Sequence, residues 1–211
     1  MDYILKQISD YVQQKLENEG SGHDWYHIER VVQLAKTIAK EEEANLFICE
    51  AAALVHDLAD DKIAATEAEG LREVEELLTE VSEFDRKHII EIISTISFKG
   101  GNRPPVRTLE AKVVQDADRL DAIGAIGIAR TFVYAGSKGD LIYDPAIKPR
   151  AKLTTDSYRN EQSTAINHFY EKLLNLRDLM NTSTGKILAN QRHEFMESFL
   201  TQFNNEWNGR R

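Results

Sequence analysis

The chain holds one cysteine, four prolines and no long apolar run. A single cysteine excludes an internal disulfide and points to a reducing compartment. Cys49, beside Ile48 in a helical pattern, reads as core packing. No stretch approaches the ~18 apolar residues that span a bilayer, and MDYILKQISDYVQQK has no signal-peptide pattern. A cytoplasmic protein with no membrane association is therefore expected. An excess of positive charge is also missing: 26 Lys and Arg against 35 Asp and Glu leave a net charge of −9. That argues against nucleic-acid binding through a general basic field. It also repels anionic substrates at long range, so such a substrate needs a metal ion or a local Lys/Arg cluster. Period-2 strand patterns, internal repeats, low-complexity tracts and domain linkers are absent as well.

What is present is an ordinary globular composition, 42% hydrophobic and 29% charged over 211 residues, and an almost unbroken helical periodicity. The expectation is an all-α, single compact bundle spanning residues 1–211. Ile4, Leu5, Ile8, Tyr11, Val12 and Leu16 fall at helical spacing before Gly20-Ser21-Gly22. A second helix is expected over His23–Glu43, and a third, apolar nearly all round and hence central, over Leu46–Leu58. Further helices are expected at Thr66–Glu80, Glu83–Ser97 with Ser82 as N-cap, Leu109–Tyr134, Glu161–Met180, and Gly185–Trp207 with Thr184 as N-cap. Phe98–Arg107 and Ala135–Asp156 read as loops. The second, long and rich in Gly and Pro, is either a lid over a pocket or a surface excursion.

Within the third helix, AAALVHDLADD sets His56 and Asp57 side by side in apolar surroundings. A buried carboxylate is costly unless it is paired or binds a metal. Two other apolar helices carry candidate partners. GHDWYHIERVV puts His27 and Arg30 three apart, and VVQDADRLDAIGAIGIAR does the same for Asp118 and Asp121. Gly124 and Gly127 there would let a neighbouring helix approach closely. Three helices can thus aim His27, His56–Asp57 and Asp118 at one point. Mixed His/Asp sets suit Mn, Fe, Zn, Co or Mg-type ions. A buried His–carboxylate pair without metal is the alternative for His56–Asp57. His23 marks a helix start, His88 either approaches the site or caps the core edge, and His168 and His193 read as surface residues.

The order His, His-Asp, Asp on successive helices resembles the HD-domain metal-dependent phosphohydrolases. GHDWYHIERV, HDLADDK, ISFKGG and DADRLDAIGAIGIAR together resemble the bacterial nucleotide pyrophosphohydrolase branch, over about residues 22–131. The resemblance implies that His27, His56, Asp57 and Asp118 ligate a divalent metal, Mn2+ first, with Mg2+, Co2+, Ni2+, Fe2+ or Zn2+ as alternatives. It implies that Asp60 or Asp61 positions the attacking water and that Asp121 orients a ligand from the second layer. Arg30, Lys99, Arg119 and Arg130, with His88, are the candidates for substrate phosphates; a salt bridge to Asp116 or Glu110 is the alternative for Arg119 and Arg130. The implied activity is hydrolysis of (deoxy)nucleoside triphosphates to monophosphate and pyrophosphate. A nucleotide monophosphatase, a (p)ppGpp-type hydrolase and a metal- or nucleotide-binding sensor are the rivals. The implied partner is a small nucleotide, with no nucleic acid, and a homodimer is left open.

Overall fold

The computed structural model describes residues 2–17, 24–60, 63–96, 105–150 and 163–210. The expected all-α architecture is what it contains. Among the described residues no strand forms, and the one β-bridge joins Leu141 to Thr164. Two compact units divide the chain, Met1–Asp118 and Arg119–Arg211.

The first unit is built from α1 (Asp2–Leu16), α2 (Trp25–Glu41), α3 (Leu46–Val55), α4 (Glu67–Leu77), α5 (Glu83–Ile96) and α6 (Leu109–Asp121), the last running through the boundary. Helix α3 is its centre. Phe47, Ile48, Cys49, Ala51, Ala52, Ala53, Leu54 and Val55 are all buried, and α1, α2 and α5 pack around them. The alanines keep α3 thin, so its neighbours close in tightly. Each buried Ile, Leu or Val contributes about 1.5–3 kcal/mol relative to exposure. Cys49 is wholly buried, and desolvation, with Glu110 adding to it, pushes its thiol up to about 12. It is core packing, as expected.

Side-chain caps start these helices. Asp24 accepts from His27 N at 2.9 Å, Asn45 from Ile48 N at 3.2 Å, and Thr66 from Glu69 N at 3.1 Å. Ser82 accepts from Asp85 N at 3.1 Å, the N-cap expected for α5. The expected second helix therefore begins at Trp25, behind Asp24, while His23 and Gly20–Gly22 lie outside the described residues. The third ends earlier than expected. Val55 is its last residue, and Leu58 N→Val55 O and Asp60 N→Asp57 O turns follow.

The second unit holds α7 (Gly124–Lys138), α8 (Ala165–Glu171), a 3-10 helix (Leu173–Leu179) and α9 (Ser183–Trp207). Phe132, Phe169, Phe199, Phe203, Trp207 and Tyr143 form a continuous run of ring contacts, with centroids 4.9–6.2 Å apart. Three expectations change here. The helix expected over Leu109–Tyr134 is broken: Ile123 is extended (φ −126°, ψ 170°) and Gly124 has φ +74°. A Cβ on Gly127 would run into the Ala122 carbonyl, so that glycine serves this tight corner, while a Cβ on Gly124 would meet the Arg192 side chain of α9, the expected close approach of a neighbouring helix. The helix expected over Glu161–Met180 is α8 followed by a 3-10 segment, since the chain departs from helical geometry at Lys172 (φ −134°, ψ −57°). The N-cap of α9 is Thr182, accepting from Gly185 N at 2.9 Å, in place of Thr184.

The loop expected from Ala135 begins later, because α7 continues to Lys138 and ends on Gly139 in the left-handed region. Residues 141–150 are tied to α8. Ala165 N donates to Leu141 O, Asn167 Nδ2 to Ile147 O, and Arg150 makes a two-pronged ion pair with buried Glu171. His168 and His193, expected at the surface, are not there. His193 is buried. His168 is half-buried in α8, and desolvation, with Lys172 and Arg150 adding and Glu171 opposing, pulls its pKa down to about 3.

Candidate metal centre

His27 lies one turn into α2, on the buried face with Ile28 and Val31. His56 is the C-cap residue of α3, and Asp57 follows in the turn. Asp118 sits near the end of α6. The fold brings the four together. His27 Nε2 is 3.4 Å from Asp57 Oδ2 and 3.6 Å from Asp118 Oδ1. His56 Nε2 is 3.4 Å from Asp57 Oδ1 and 3.8 Å from the same Asp118 oxygen. Ligand atoms of His27, His56 and Asp118 all fall within 4.8 Å of one another, and the two imidazoles meet edge to face at 5.3 Å.

The orientation of the His56 ring bears on what this cluster can hold. Its Nδ1 is 2.8 Å from Ala53 O, an oxygen that can only accept, so Nδ1 carries the hydrogen. In the neutral ring Nε2 is then a bare lone pair. That atom is buried and has no hydrogen-bond partner. A lone pair facing two carboxylates is repulsive until a cation stands among them. Two carboxylates and two neutral imidazoles carry −2, the complement of a divalent ion. The separations match the edges of a coordination shell built from bonds of ~2.0–2.2 Å. The side chains of His27 and His56 are 1% and 3% exposed, that of Asp118 33%. The cluster is closed on its imidazole side and open at Asp118, where a further ligand can enter.

The other expected residues are distributed unevenly. Asp60 is half-buried in the turn after Asp57, its amide donating to Asp57 O at 2.9 Å. Arg30, half-buried, is one turn past His27 in α2. His88 Nε2 is 3.0 Å from Thr108 Oγ1 and 3.8 Å from Glu110 Oε2, at the start of α6. Ten residues of rise, ~15 Å, separate Thr108 from Asp118 along that helix, so the fold does not bring His88 to the cluster. Asp61 and Lys99 lie outside the described residues.

In the second unit, buried Asp121 pairs with Arg130, whose Nη1 is 2.6 Å from Oδ2. The arginine also reaches the Asp121 carbonyl at 3.4 Å. Asp121 is thus a partner of Arg130 that was not among those expected. Arg119 donates to Leu179 O. Arg119 lies in α6 and Arg130 in α7, two separate helices.

Two contributors escaped the sequence reading. Arg192 of α9 donates to Leu120 O, capping a carbonyl at the end of α6, and burial pulls its pKa down. Its signal in the sequence, one arginine among many on an amphipathic helix, is nil. Gly70 is the other. A lone glycine inside a helical pattern is a recognisable sign of close packing, and α4 has one.

The HD-domain family profile matches residues 24–123. An HD-superfamily hydrolase from Bacillus thuringiensis, known from its crystal structure, is 47% identical, with 98% of this chain and 97% of that one covered and a TM-score of 0.77. This chain belongs to the HD superfamily of hydrolases. It is a metal-dependent phosphohydrolase of the HD type. A Lactobacillus plantarum crystal structure is similar at 46% identity and a TM-score of 0.86, covering 99% of both chains. The uncharacterized Bacillus subtilis protein YpgQ is 43% identical over 201 residues, 93% of this HD hydrolase and 90% of YpgQ. A crystal structure of YpgQ in complex with ADP gives a TM-score of 0.77, covering 96% of this chain and 97% of that one.

Proposed function

We propose that this HD hydrolase acts on nucleotides, cleaving (deoxy)nucleoside triphosphates to monophosphate and pyrophosphate, with a divalent ion held by His27, His56, Asp57 and Asp118. The observation that carries the metal assignment is the buried, partnerless Nε2 of His56 aimed at two carboxylates. The nucleotide assignment draws on the ADP complex of YpgQ. It draws also on the resemblance of the sequence blocks to the nucleotide pyrophosphohydrolase branch. Mn2+ is the proposed ion.

A divalent ion bound there supplies Lewis acidity toward a phosphoryl oxygen and lowers the pKa of water. The chain's own residues do the positioning. Ala53 O fixes the His56 ring through Nδ1, so Nε2 keeps one direction and one tautomer. Asp24 caps α2 at the amide of His27 itself, which fixes the turn that carries that ligand. Asp60, or Asp61 beside it, holds a proton of the attacking water, and Asp121, clamped by Arg130, orients the end of α6. Arg30, one turn from His27, takes a substrate phosphate, with Lys99 and Arg119 as further contacts. A net charge of −9 makes such local cations necessary.

The test is release of pyrophosphate against phosphate from a panel of ribo- and deoxynucleotides, with and without Mn2+. Metal-dependent pyrophosphate release supports the proposal. Phosphate release from monophosphates, pyrophosphate release from (p)ppGpp alone, or tight binding without turnover would replace it with the monophosphatase, the (p)ppGpp-type hydrolase or the sensor.

A further inference from the structure

The turn that carries His56 and Asp57 is short. Leu58 N reaches back to Val55 O at 3.1 Å and Asp60 N to Asp57 O at 2.9 Å, and Leu58 and Ala59 are buried. What covers them is the backbone of α4. A Cβ built on Gly70 would lie 2.5 Å from both Ala59 Cα and Leu58 O. Both are backbone atoms, which cannot rotate aside as a side chain does. Helix α4 is itself fastened further along the same face. Val74 and Leu78 are fully buried, and Glu73 is held by Lys15 and by Tyr11, whose hydroxyl donates at 2.7 Å. Neither partner is free to retreat.

We propose that Gly70 is a positioning residue for the metal centre: its missing side chain lets α4 rest directly on the ligand-bearing turn and hold His56 and Asp57 in register. This rests on the metal reading given above. Restoring van der Waals distance around an alanine would part helix and turn by roughly 1 Å, beyond the ~0.5 Å within which such constellations must be held. Loss of a group that orients a metal ligand typically costs 10–100-fold in metal affinity.

The experiment measures Mn2+ affinity by titration calorimetry, with circular dichroism and thermal melts, in the wild-type chain, Gly70→Ala and Val74→Ala. Expected is a loss of at least tenfold in Mn2+ affinity for Gly70→Ala. Val74→Ala, which thins the same helix's packing one turn away from Gly70, should melt lower but bind Mn2+ within about twofold of wild type. Wild-type affinity in a folded Gly70→Ala chain overturns the proposal, and so does an equal loss in both variants. Should Gly70→Ala not fold, hydrogen exchange on the wild-type chain decides. Mn2+ should raise protection at residues 57–60 and 70–74 together, and protection confined to 57–60 overturns the proposal. A wild-type chain that binds no Mn2+ overturns the metal reading and this one with it.

Discussion

His56 Nε2 and Asp118 Oδ1 stand 3.8 Å apart, the one at the end of α3 and the other near the end of α6. Their approach, shared with His27 and Asp57, is the feature on which the proposed function rests. It makes the chain's stability depend on what occupies the space among them.

Saturating Mn2+ should raise the melting temperature, because an ion that binds the folded chain alone stabilises it by ~2.7 kcal/mol at a hundredfold excess over Kd. His56→Ala, Asp57→Ala and Asp118→Ala should each stay helical, lose the bound metal and lose the metal-induced shift. Melts by circular dichroism with and without a chelator, beside metal analysis, provide the check. Normal metal content in two of the three variants would end the ligand assignment.

Breaking the pair between Asp121 and Arg130 should be costly, since the carboxylate is buried and its side chain is 2% exposed. Removing one partner of a buried pair typically costs ~3–5 kcal/mol. With Arg130 itself 27% exposed, about 3 kcal/mol is expected for Arg130→Ala. Denaturant unfolding measures this. A loss below about 0.5 kcal/mol, the range of ordinary surface changes, would show that the pair does not hold this end of α6.

Two glycines of α7 should respond in opposite directions to alanine. Gly127→Ala drives a methyl into the Ala122 carbonyl at the α6–α7 corner and should destabilise by about 2–3 kcal/mol. Gly136 has open space around its missing side chain and an ordinary helical backbone. Gly136→Ala should stabilise by about 0.5–1 kcal/mol. Similar melting temperatures for the two variants would contradict the packing described at the corner.

The depressed His168 pKa makes the chain acid-sensitive. A histidine held near 3 in the folded state and ordinary when unfolded contributes stability that is present above its ordinary value of 6.5. That stability is lost as pH falls toward 3, because only the unfolded chain takes up the proton. Glu171, whose pKa is also lowered, adds to the loss only below its ordinary value of 4.5. Between pH 6.5 and 5 the melting temperature should therefore fall, and His168→Gln should flatten that slope. An unchanged slope in the variant would show that His168 titrates normally.

Much of this protein is legible without its fold. Helix content follows from 3.6-residue periodicity, a local property, and the burial of α3 follows from its having no polar face. His27, His56, Asp57 and Asp118 stand out because a costly group in an apolar helix needs a remedy, and the ordered blocks around them resemble one family. What the sequence could not determine depends on backbones meeting at a distance. Apolar periodicity runs on through Ala122 and Ile123, so nothing local except the glycines marks the corner between α6 and α7. His168 and Arg192 look like surface residues on amphipathic helices until neighbouring elements pack over them. The direction of the His56 lone pair is set by Ala53 O, and the seat of its turn by Gly70. The ordered motifs single out the proposed ligands, but only close packing between elements aims them at a common centre.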